Sequence, residues 1–102
     1  MTLEEFERSI SESAPPAELK GALLGLWREA KGDWDGAHAC AQDDLTRAGS
    51  WVHAYLHRKD GDHGNAGYWY SRAGKPVPAI SSEKEWRAIA GELLSVSAEK
   101  RA

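Results

Sequence analysis

Residues 51–78 read WVHAYLHRKDGDHGNAGYWYSRAGKPVP, and this stretch decides the fold. It holds two of the five Trp, all three Tyr and three of the four His. Trp51, Val52, Tyr55 and Leu56 recur at helical spacing and give its first half an apolar side. Gly61 and Asp62 then make a stop and a start. Glycine adopts the left-handed conformation that closes a helix, and aspartate caps the next one. Beyond them Ala66, Trp69, Tyr70 and Ala73 fall on one face, beside a strip of Asn65, Tyr68 and Arg72. Gly74, Pro76 and Pro78 stop this second helix. The stretch therefore reads as two helices, roughly 51–60 and 63–73, joined by a tight corner.

Upstream the pattern repeats. Leu19, Leu23, Leu26, Trp27 and Ala30 predict a helix from about Pro16 to Lys31, with proline tolerated in its first turn. Gly32 and Asp33 repeat the stop-and-cap signal. Trp34, Ala37, His38, Ala41 and Leu45 share a face of the following helix, and Gly49-Ser50 marks the next break. At the N-terminus Thr2 and Glu5 have the spacing of a capping box, opening a helix over about residues 3–12. Ser82 and Glu85 have the same spacing and open a last helix, about 83–96, leaving SAEKRA as a frayed tail. No period-2 run is long enough for a strand. The expected fold is one all-α domain, 1–102, of about six helices. Two central antiparallel hairpins, 16–48 and 50–78, are flanked by capping helices, with the C-terminal one at 82–96.

The two hairpins match at an offset of 29 residues: Trp27, Gly32, Asp33 and Ala37 against Leu56, Gly61, Asp62 and Ala66. The second resembles a tetratricopeptide repeat, in which small residues let two helices approach closely. Ala54, Gly61, Ala66, Tyr70, Ala73 and Pro78 carry that resemblance. His57 departs from it, and the first hairpin retains only Gly25, Gly32 and Ala37. The resemblance implies a stacked helical scaffold with a partner-binding face. The chain is also similar to small bacterial proteins of uncharacterised function with an AHAC…WVHAYLHRK…NAGYWYSRAG core, a likeness that implies no activity.

Composition narrows the function. A chain of 102 residues with net charge -3 lacks the basic excess of a duplex-DNA binder. One cysteine, Cys40, excludes an internal disulfide and reads as a small apolar filler. No apolar run approaches the ~18 residues of a membrane span, and the acidic N-terminus is unlike a signal peptide. A cytoplasmic location is the default expectation.

Chemistry concentrates on histidine. His53 and His57, four apart on a helix, stack on one face in the geometry of paired metal ligands. The motif HAYLH lacks the glutamate that an HExxH metalloprotease places after its first His. A third ligand for a transition metal could come from His38, His63, Asp62 or Glu29. The plain alternative leaves both imidazoles half-exposed and bonded to backbone or water. His38 lies among apolar neighbours and must find a partner, with Tyr55 or Tyr70 as candidates. Serine and cysteine offer no nucleophilic arrangement, so catalytic residues stay unassigned and an enzyme is the less favoured class.

The leading expectation is a helical binding or interaction module. His53, His57, Arg58, Asn65, Tyr68 and Arg72 would surround one face with His38 at its floor, binding a peptide, a protein or a small molecule. The alternative is a metal-binding or acid–base protein built on His53 and His57 with His38, with no other cofactor. Two hairpins are fewer than the about three repeats a solenoid needs. The flanking helices, or a second copy in a homodimer, would complete the stack.

Overall fold

A computed structural model of the chain describes the backbone of residues 1–101 and the side chains of residues 1–96. Six helices form: α1 (Leu3–Ser9), α2 (Gly21–Ala30), α3 (Trp34–Asp43), α4 (Arg47–Lys59), α5 (His63–Ala73) and α6 (Ser82–Arg101). The described residues contain no strand, and the fold is all-α.

The two Gly-Asp corners are built alike. Gly32 and Gly61 have φ of 85° and 80°, the left-handed region that glycine enters without cost from a Cβ. Each corner then closes with the same pair of bonds. Gly32 and Asp33 donate their N–H groups to the carbonyls of Glu29 and Arg28; Gly61 and Asp62 donate theirs to Arg58 and His57. These bonds satisfy the carbonyls left open at a helix C-terminus. The aspartate side chains cap the next helices, accepting from the N–H of Gly36 and of Asn65. The corners fold α3 back on α2 and α5 back on α4, and α3 packs on α4 to join the two hairpins.

Several boundaries differ from the sequence reading, each for a local reason. The Thr2–Glu5 capping box forms, but α1 ends at Ser9 rather than near residue 12. Ser9 and Ser11 turn their hydroxyls onto the carbonyls of Phe6 and Arg8, and the backbone tightens into i to i-3 bonds. Helix α2 starts at Gly21, not at Pro16, because its cap arrives from a distant part of the chain: Asp44 Oδ2 accepts from the Ala22 N–H at 3.0 Å. Helix α4 starts at Arg47, capped by Thr46, so Gly49-Ser50 lies inside it rather than breaking it. Gly49 is there for close approach: a Cβ on it would lie 1.9 Å from the carbonyl oxygen of Asp44. Leu45, expected on the core face, follows the end of α3 and is 95% exposed. Before α6, Ser81 rather than Ser82 does the capping, accepting from the Lys84 N–H. Helix α6 runs on to Arg101, past the end near residue 96 that the sequence suggests, so the backbone of 97–101 is helical rather than a frayed tail.

The core runs through the contact of the hairpins with α1 and α6. Phe6, Leu26, Val52, Leu56 and Ile89 are fully buried. Trp86 of α6 stacks on Phe6 and donates its indole N–H to the Leu26 carbonyl at 3.1 Å. Trp27 donates to Ser9 at 3.2 Å. The flanking helices thus cover the hairpins. No described helix is long and apolar enough to cross a membrane.

Candidate metal centre

Three of the four histidines meet where α3 crosses α4. His53 and His57 lie one turn apart on α4 and stack with ring centroids 5.0 Å apart. His38 reaches them from α3 and stands edge-on to both, at 4.5 Å and 5.4 Å. Taking one ring nitrogen from each, the three ligand atoms lie within 4.8 Å of one another. His38 is therefore the third histidine. His63 is exposed, Glu29 is engaged with Lys59 and Tyr55, and Asp62 stands behind His57.

The cluster sits between two indoles. Trp34 stacks on His38 at 4.9 Å and donates to the Leu56 carbonyl, which ties the start of α3 to α4. Trp69 of α5 stacks on His53 at 3.9 Å. The depth order reverses the expectation: His53 is the floor, 4% exposed, while His38 and His57 are half-buried.

The hydrogen bonds of the cluster are incomplete. His53 Nε2 and His38 Nε2 are 2.9 Å apart, so one donates its N–H to the bare nitrogen of the other. His38 thus finds its partner in His53, not in Tyr55 or Tyr70. His53 Nδ1 and His57 Nδ1 are buried and have no hydrogen-bond partner among the described residues. An unsatisfied buried polar atom costs about 1–3 kcal/mol. Burial, followed by repulsion from His38 and His57, pushes His53 down from 6.5 to about 4. Burial and His57 also lower His38, against a smaller opposing pull from Asp35. Both rings are neutral at pH 7, the form in which an imidazole offers a lone pair to a metal.

No protein-family model, curated protein or solved structure matches the chain. The chemistry of the centre rests on its own geometry.

The other expected site residues divide into two further groups. Arg58 turns away from the histidines to α6, where it lies 2.8 Å from Glu85 Oε1 and also donates to the Ile80 carbonyl. Tyr70 donates to the second oxygen of Glu85 at 2.5 Å. Glu85, read as half of a capping box, is instead a buried carboxylate, 2% exposed, with two strong partners. Tyr55 likewise donates to Glu29. Burial and these carboxylates raise both phenols well above their usual range. On the outer side of α5, Arg72 donates to the Tyr68 hydroxyl at 3.0 Å and lies 5.3 Å from the Trp69 ring. Asn65 holds Asp62 through its side-chain amide at 2.7 Å. Two contacts link this strip to the cluster: Trp69, which stacks on His53 and lies under Arg72, and Asp62, which Asn65 holds 3.6 Å from His57 Nδ1. Sequence reading missed Trp34 and Trp69 as its walls, although His38 lies four residues beyond Trp34 and so shares its side of the helix.

Proposed function

We propose that the chain is a small metal-binding protein, with His38, His53 and His57 holding one first-row transition-metal ion, zinc foremost. One observation carries this reading: three imidazoles from two helices bring their ligand nitrogens within 4.8 Å of one another. Zinc–nitrogen bonds of about 2.0–2.1 Å in a tetrahedral site set the nitrogens ~3.3 Å apart. The His38–His53 pair at 2.9 Å needs to open slightly, and the wider separations need to close by a ring rotation. Imidazole without thiolate suits zinc, copper and nickel. Three ligands leave a fourth position for water or a small donor.

The test is direct. Protein stripped with chelator and dialysed is titrated with zinc chloride by calorimetry, with nickel and copper as comparison ions. One zinc per chain is expected, and loss of binding in His53→Ala and in His38→Ala. A folded parent protein that takes up no stoichiometric zinc would sink the proposal.

A peptide- or protein-binding role is the second reading. It is favoured by Tyr68, 54% exposed and braced by Arg72 on the outer side of α5. Tyrosine and arginine are frequent anchors of interfaces. Capture of a defined peptide that Tyr68→Ala abolishes and His53→Ala leaves intact would separate this role from the metal centre.

A further inference from the structure

We infer that Asp62 is the positioning carboxylate of the histidine triad: it receives the Nδ1–H of His57 and so presents His57 Nε2 to the metal. This rests on the metal reading above. His57 Nδ1 is buried and unpartnered, and the nearest carboxylate oxygen, Asp62 Oδ2, lies 3.6 Å away. A small rotation of the ring closes that gap.

A ligating histidine has two nitrogens, and the hydrogen bond made by one decides which of them meets the metal. His38 and His53 already face each other through Nε2. With Nδ1 of His57 turned to Asp62, all three ligands are Nε2 atoms. Asp62 is itself well held. Its Oδ1 accepts from the Asn65 N–H and its Oδ2 from the Asn65 amide.

The first hairpin supplies the control. At the equivalent corner Arg28 occupies the place of His57, and its guanidinium lies 3.6 Å from Asp33 Oδ2. The corner thus couples the last turn of its first helix to the capping aspartate in both hairpins, and only the second couples it to an imidazole. Asparagine caps a helix about as well as aspartate, so Asp→Asn removes the charge and keeps the corner.

Zinc affinity is therefore measured by calorimetry or chelator competition for the parent, Asp62→Asn and Asp33→Asn, alongside thermal melts of the metal-free proteins. Asp62→Asn should bind zinc about 10- to 100-fold more weakly than the parent, with an unchanged melt, and Asp33→Asn should match the parent in both. Nitrogen-15 spectra of the zinc form should show His57 bound through Nε2 in the parent and a mixture of ring nitrogens in Asp62→Asn. Parent-like affinity and an unmixed His57 signal in Asp62→Asn would overturn the positioning role alone. A parent that binds no zinc would overturn the metal reading beneath it.

Discussion

The first hairpin, α2–α3, and the second, α4–α5, turn on the same bonds yet fill their interiors differently. Leu24, Leu26 and Ala41 of the first correspond to His53, Tyr55 and Tyr70 of the second. Each exchange places a polar atom where the first hairpin has hydrocarbon. Each polar atom then takes a partner from outside its own hairpin: His53 from α3, Tyr55 from α2, Tyr70 from α6. The same frame serves as packing in one copy and as a junction of polar contacts in the other. Only one of the three junctions, the histidines, is left with unpartnered nitrogens.

Glu85→Ala should break the contrast most severely. It strands Arg58 and Tyr70 without their carboxylate, and removing one partner of a buried ion pair costs about 3–5 kcal/mol. Urea denaturation measures the loss. If the variant matched the parent, the second hairpin would be held by hydrocarbon just as the first is.

Acid should act next, and through the second hairpin. In the metal-free protein the folded-state pKa of His53 is pushed down to about 4 from 6.5. Below pH 6.5 the unfolded chain takes up a proton that folded His53 refuses until about pH 4. Stability is therefore full above 6.5 and lost progressively as pH falls toward 4, by about 3 kcal/mol in all. Stability curves between pH 4 and 7.5 should show this slope in the parent and a shallower one in His53→Leu.

That same variant installs the residue of the first hairpin and sharpens the comparison at neutral pH. Leucine removes the orphaned Nδ1, while half-buried His38 can turn to water. Metal-free His53→Leu should gain about 1–3 kcal/mol and lose the proposed zinc binding. A less stable variant would mean that the His38–His53 bond contributes more than the orphan costs.

The smallest effect tests the shared frame. Gly32→Ala and Gly61→Ala meet no atom, since both corners open to solvent, but both force an L-residue into positive φ. Each should cost about 1–2 kcal/mol. Unequal losses in thermal melts would show that the corners are not equivalent.

Much of the frame was legible because its signals are local. Glycine at positive φ, aspartate at a helix start and the apolar faces of α2, α4 and α5 act within a few residues of themselves. The errors fall where a distant residue intervenes. Asp44 sets the start of α2, and its backbone makes Gly49 a contact point rather than a break. Glu85 has the spacing of a capping box, yet Arg58 and Tyr70 draw it inward. The i, i+4 pair of His53 and His57 was readable from helical geometry. The choice of His38 over His63 or Glu29 was not, because it depends on how α3 crosses α4.

By itself the sequence determined the all-α class, the two corners and the pairing of two imidazoles on one turn, since helical periodicity and backbone conformation are written residue by residue. Only the tertiary structure decided that His38 completes the cluster, that two indoles enclose it, and that Arg58 belongs to Glu85. Those choices depend on contacts between elements far apart in the chain. They follow from the packing of buried surface and from the need of each buried polar atom for a partner.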